Sequence, residues 1–276
     1  MKSLRSNLFV AAALAAGLLG ASNGAMAAST WVYQFAGVDG GAATTSYTGA
    51  PTTAPDLTIS GRYVANGASN TGVSGNWNNN AASALTYYSG GGLGMISDGS
   101  AQPNHAIDNG GTNTEAVLLS FASVVKLTSI GLGYKSGDAD VSVFRYTGTV
   151  APTLTGGATL SAMTTAGWEL VGNYADLSTD TSDPYNTINP QNKGSSWWLI
   201  SAYNSAWGTG TGLSQGDDYF KMFAVAGDVC TNQNTSTGVC GGGKAPEPGS
   251  LALLGAAAVA AVGVRRRGLK VAKTQA

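Results

Sequence analysis

The sequence predicts an all-β fold, an antiparallel β-sandwich of jelly-roll-like type, and three observations point to it. Short apolar runs alternate with period two, which puts every second side chain on one face of a strand. Gly, Asn, Asp and Pro separate the runs, and with 40 glycines in 276 residues the chain has a turn signal between most of them. Between the termini no stretch shows the 3.6-residue period of an amphipathic helix, and no fixed-period repeat suggests a solenoid.

Taken in order, residues 1–27 read as a secretory signal peptide. Lys2 and Arg5 give a positive start, Leu8 to Leu19 an apolar centre, and Ala25-Met26-Ala27 a small-residue cleavage site for signal peptidase. Residues 28–227 form the predicted sandwich. Its candidate strands are Trp31 to Phe35, Leu57 to Val64, Ala84 to Tyr88, Ala116 to Phe121, Leu127 to Tyr134, Val141 to Tyr146, Trp168 to Tyr174, Trp197 to Tyr203 and Tyr219 to Val225. Ser136-Gly137-Asp138 is a tight-turn candidate. Long loops are expected at Gly67 to Asn80, Gly90 to Asn113, Thr147 to Gly167 and Leu177 to Gly194. Trp197 and Trp198 are adjacent in a strand and so point to opposite faces.

Charge narrows the partners. Seven of the 14 basic residues and one of the 15 acidic residues lie in the two terminal segments, so residues 28–245 carry a net charge near −7. No basic cluster is left among them, and nucleic acid is not an expected partner. A surface rich in Ser, Thr, Asn and Gly with acidic charge suits an extracellular protein.

Few residues could carry chemistry. His105 is the only histidine. No G-x-S-x-G elbow fixes a nucleophile, and one histidine without free cysteines does not make a typical zinc site. Glu115 and Glu169 are the only glutamates ahead of the C-terminal segment, and no paired-carboxylate pattern of a glycosidase is visible. The expectation is no enzyme and no catalytic residue. No cofactor is expected either; Asp138 and Asp140 are the residues calcium would use, with Asp217-Asp218 as a separate acidic cluster, since turn aspartates and carbonyls can supply its six to eight oxygens. Trp77, within Asn76-Trp77-Asn78-Asn79-Asn80, has two readings. It is a loop anchor tucked against the sandwich, or a platform on which a sugar ring stacks while the amides bind hydroxyls.

Residues 228–245 read as a cysteine loop and glycine-rich linker. Cys230 and Cys240 are the only cysteines, and after export such a pair forms a disulfide. Residues 246–270 follow: Pro246-Glu247-Pro248, an apolar run from Leu251 to Val264, and Arg265-Arg266-Arg267. The run is 14 residues long, short of the roughly 20 of a stable spanning helix, and the arginines hold its end on the cytoplasmic side. The prolines keep the tripeptide extended and accessible.

This arrangement resembles the PEP-CTERM sorting domain. The resemblance implies an exosortase-type membrane enzyme as partner, a transient inner-membrane anchor, and delivery to the envelope, surface or exopolysaccharide matrix of a Gram-negative bacterium. Four further stretches, Leu127 to Val143, Ala166 to Tyr174, Ser196 to Asn204 and Asp218 to Lys221, resemble the exosortase-dependent surface protein family, which carries no known active site. The function expected is a non-enzymatic surface or biofilm role. A carbohydrate-binding module for exopolysaccharide is the alternative, and a secreted hydrolase the third reading.

Overall fold

The computed structural model describes residues 31–49, 54–68, 72–80, 84–98, 105–180 and 182–241. Along them run β1 (Trp31–Gln34), β2 (Gly41–Ala42), β3 (Ser46–Tyr47), β4 (Leu57–Asn66), β5 (Val73–Asn78), β6 (Leu85–Tyr88), β7 (Gly92–Met95), β8 (Ile107–Asp108), β9 (Asn113–Lys135) and β10 (Val141–Tyr146). A short helix, α1 (Leu160–Thr165), precedes β11 (Trp168–Tyr174), β12 (Tyr185–Thr187), β13 (Ser195–Ala202), β14 (Tyr219–Val229), β15 (Asn232–Gln233) and β16 (Cys240–Gly241). The predicted all-β, antiparallel class holds: fourteen strands join in one sheet, and the ladders between them are antiparallel. The signal peptide and the sorting segment lie outside the described residues.

The sandwich comes from one sheet folded over on itself, and β9 is the strand that crosses from layer to layer. Its first part pairs with β4 on one side, from Ala65↔Asn113 to Leu57↔Phe121, and with β13 on the other. Its second part pairs with β14, from Val229↔Val125 to Phe220↔Lys135, and with β12. The strand changes layers around Ala122 and Ser123, which are exposed. Two separate strands were expected here. No Gly, Pro, Asn or Asp stands between Phe121 and Leu127, so the chain bends at small residues without leaving the sheet.

The core lies between the layers. Leu57, Ile59, Val117, Leu119, Val143, Trp198 and Ile200 come from the first layer; Leu127, Ile130, Leu132, Phe220, Met222 and Val225 come from the second. The alternate residues of the first layer, Ala116, Leu118, Phe144 and Leu199, are buried too. They are covered by Trp77, Trp168 and Trp207, and by Met163 of α1. The central strands of this layer are therefore apolar on both faces, which explains the unbroken run Ala116-Val117-Leu118-Leu119. The adjacent tryptophans divide as their alternation requires: Trp198 fills the main core, and Trp197 packs beside Tyr146 at the second cluster.

All four expected loops hold regular structure. Gly67 to Asn80 contains β5, Gly90 to Asn113 contains β7 and β8, Thr147 to Gly167 contains α1, and Leu177 to Gly194 contains β12. Helix α1 is six residues long, too short to show a period, and is started by Thr159, whose hydroxyl accepts the Ala162 N–H at 3.3 Å. Ser136-Gly137-Asp138 is the tight turn expected, with Gly137 at φ +69°.

Candidate functional site

Among the described residues chemical groups gather at the junction that leads toward the C-terminal segment, in an acidic cluster at one end of the sandwich, and in a buried carboxyl pair. At the junction, β14 runs directly to Cys230, which is disulfide-bonded to Cys240. The intervening hairpin of β15 and β16 does not hang free. The Cys240 N–H donates to the Asn192 carbonyl at 2.8 Å and the Gly194 N–H to the Gly238 carbonyl at 2.8 Å. The Gln233 side-chain amide donates to the Gly194 carbonyl at 2.7 Å, and the Lys193 ammonium to the Thr237 carbonyl at 2.8 Å. A Cβ at Gly194 would run into the sulfur of Cys240, so a glycine at the start of β13 is what lets the bridge sit down.

Beneath the hairpin lies an ion cluster. Arg145, nearly fully buried on β10, donates to the Gly194 carbonyl at 2.9 Å and pairs with Glu169; its guanidinium lies against Gly238. Glu169 also pairs with Lys193 at 2.9 Å. Partial burial alone would raise the Glu169 pKa, but the hydrogen bonds from Lys193 and Arg145 outweigh it and hold the carboxyl below its ordinary value. The segment expected to be an appended loop is thus bound to the rim of the first layer, and the described chain stops at Gly241, a few residues before Pro246.

The acidic cluster joins Asp138 and Asp140 to Asp218, with one carboxylate oxygen of each lying within 4.8 Å of the others. The turn after β9 carries the first two, and Asp218 stands at the entry to β14. The parallel bridge Asp138↔Asp218 brings them together. Asp140 accepts the Asp176 N–H at 2.8 Å and the Ser214 N–H at 2.7 Å. Asp218 accepts the Asp140 N–H at 2.6 Å and the side-chain amide of Asn109, which also donates to the Tyr203 carbonyl. Loss of water raises the Asp140 pKa; burial followed by repulsion from Asp140 pushes Asp218 up to about 8.

Two oxygens on opposite sides of a calcium ion stand roughly 4.6–5.2 Å apart, so the spacing fits. The donor set fits less well. Both oxygens of Asp140 and both of Asp218 already take N–H donors, so an ion would have to use their remaining lone pairs. As it stands, the cluster ties the turn after β9 to the loops at Asp176 and Ser214 and to the start of β14.

Trp77 is buried, 2 % exposed, on β5. Its ring stacks on Trp207 with centroids 5.9 Å apart, and its indole N–H points to the Met163 sulfur at 3.2 Å. The sugar-platform reading of Trp77 is therefore corrected: the ring is buried against Trp207 and Met163 rather than presented on the surface. Its amide neighbours face outward, which is why the segment looked like a binding loop. His105 is half-buried and stacks on Tyr88 at 5.4 Å, and among the described residues its Nδ1 has no hydrogen-bond partner.

A carboxyl pair that sequence reasoning missed lies at Glu115 and Asp108. Glu115 is 2 % exposed and accepts the Ser97 N–H at 2.7 Å and the Asp108 N–H at 3.3 Å. Burial first and mutual repulsion second push Glu115 up to about 8; burial, then repulsion from Asp98, pushes Asp108 to about 7. The signal available was Asp108 and Glu115 flanking a short glycine turn.

Residues 244–267 match the PEP-CTERM protein-sorting motif. Neither the curated proteins nor the solved structures provide a significant match to the chain. Among the described residues no helix is long and apolar enough to cross a membrane; the expected sorting helix, Leu251 to Val264, lies outside them, as do Pro246, Glu247, Pro248, Arg265, Arg266 and Arg267.

Proposed function

We propose that this chain, which carries the PEP-CTERM protein-sorting motif at its C-terminus, is an exported, non-enzymatic protein of the cell envelope or extracellular matrix. Its β-sandwich is the cargo. An exosortase-type membrane enzyme cuts the chain near Pro246-Glu247-Pro248 while Leu251 to Val264 holds it and Arg265 to Arg267 stay inside. The observation that carries this reading is the motif match, together with a folded domain that closes with a docked disulfide hairpin just ahead of it. A bridge formed only after export and a cut made only at the membrane are compatible steps of one route.

The non-enzymatic part rests on the carboxyls. Glu115 is nearly fully buried and already bonded to backbone donors, and Glu169 is held in ion pairs with Arg145 and Lys193. Neither is free to move a proton for a substrate. Turnover in a glycosidase and esterase panel that disappears in Glu115→Gln would overturn this part.

For sorting, the ectodomain is tagged and its size and location compared in cells with and without the sorting enzyme. The expected result is a shorter mature product only when the enzyme is present, lost in Glu247→Ala. A mature protein that keeps Arg265 to Arg267 in both strains means a permanent anchor and refutes the proposal.

A further inference from the structure

The outer face of the second layer carries a cavity of about 320 Å³ that none of the sites above uses. Half-buried Tyr87 and Phe223 line it together with Gln34, Thr179, Pro184 and the edge of the core residue Phe35. The floor is backbone. Gly90 and Gly91, in the turn between β6 and β7, meet Gly133 of β9 there, beside Gly92 at the start of β7. A Cβ at Gly133 would strike the Gly91 carbonyl, and one at Gly92, where φ is +108°, would strike the Met222 carbonyl. These glycines let the β6–β7 hairpin lie down on the β9–β14 ladder, so that peptide groups form the bottom of the groove. Gly131 does the same for Phe223: a Cβ there would occupy the position of the ring, which lies over the bare backbone of β9. Tyr185 braces the ring, with centroids 5.5 Å apart.

We infer that this groove binds one ring of a neutral saccharide, against the faces of Tyr87 and Phe223. Three properties select that ligand. Among the described residues that line the groove none is charged, although the ectodomain is acidic overall, so an ionic ligand would find no countercharge among them. A purely apolar ligand would leave the Gln34 amide, the Thr179 hydroxyl and the exposed peptide groups of Gly90 and Gly133 covered and unpaired, which is costly. A sugar has both characters: a C–H face that packs on a ring, and hydroxyls for an amide, a hydroxyl and backbone groups. Size agrees, since the cavity is at the small end of the roughly 300–1,000 Å³ typical of ligand sites and takes a ring, not a protein segment. Half-buried Tyr87 and Phe223 present ring surface here, which Trp77 does not.

The inference goes beyond the sorting proposal and does not depend on it, because binding is measured in vitro and sorting in cells. The test uses the exported chain purified with its disulfide intact. Cellohexaose, maltohexaose, xylohexaose and mannohexaose are titrated by calorimetry, with hexagalacturonate as the acidic control and indole as the apolar one. At least one neutral hexasaccharide should bind with a Kd of a millimolar or tighter. Tyr87→Ala, which removes a ring, and Thr179→Trp, which fills the groove from the rim, should each weaken that binding at least tenfold while the thermal midpoint stays unchanged. Thr179→Trp keeps the test valid if Tyr87→Ala fails to fold. The inference is overturned if the folded wild type binds none of the neutral probes, if hexagalacturonate or indole binds in preference, or if binding survives Thr179→Trp.

Discussion

Asp218 is fully buried, and its carboxyl is pushed up to about 8, first by loss of water and then by repulsion from Asp140. Glu115, at about 8, and Asp108, at about 7, are raised by the same order of causes. Unfolded carboxyls titrate near pH 4, so at neutral pH the folded chain holds protons that the unfolded chain has released. The stability these groups supply is full below the unfolded value and is lost as pH rises through 7 and 8. Thermal midpoints should therefore fall from pH 5 to pH 9, by roughly 2–4 °C for each ~1 kcal/mol in a domain of this size. Asp218→Asn should lower the midpoint at pH 5, because an amide cannot accept from both the Asp140 N–H and the Asn109 amide, yet make the decline above pH 6 shallower. An equally steep decline in the variant would assign the linkage to other groups. At this scale the sequence was only partly legible. Asp138 and Asp140 were visible as a turn pair. Asp218 joins them across 78 residues from Asp140, and only after β9 and β14 have paired. Trp77 misled because it is the one buried residue of β5, so the strand shows no alternation.

The elements divide by how much pattern each can show. Strands such as β10, β11 and β13 carry enough apolar residues to announce themselves, whereas β2, β3, β8 and β12 are two or three residues long and are defined by partners distant in the chain. The Cys230–Cys240 bridge was legible from compartment and number alone. Its docking was not, because Arg145, Gly194 and Gly238 meet only in the folded state. That docking shapes a prediction for Cys230→Ser. On the chain-entropy model, closing a loop this short contributes up to about 3 kcal/mol. The variant should keep the far-ultraviolet circular dichroism of the sandwich while the amides of Gly194 and Cys240 lose hydrogen-exchange protection. Collapse of the whole domain would instead make the hairpin part of the cooperative core.

For the molecule as a whole, the class and most of the principal strands could be read in advance, because a sheet buried on one face writes its period into the sequence. The covering of the first layer's outer face could not, since Trp77, Met163, Trp168 and Trp207 come from segments with no shared pattern. The disulfide has one more consequence, and it is mechanical. If, as proposed, the domain is held at its C-terminal end and its outer face binds a saccharide matrix, it comes under tension, and the bridge decides where the load enters. A pull on Gly241 passes through the sulfurs from Cys240 to Cys230 and straight into β14, whose ladder with β9 runs from Val229↔Val125 to Phe220↔Lys135. Residues 231–239 bear none of it. Single-molecule stretching from the C-terminus should show an extra early extension of about 30 Å after reduction, the reach of nine residues at 3.3–3.6 Å each. The oxidised chain should lack that step: its hairpin is slack removed from the line before any force arrives.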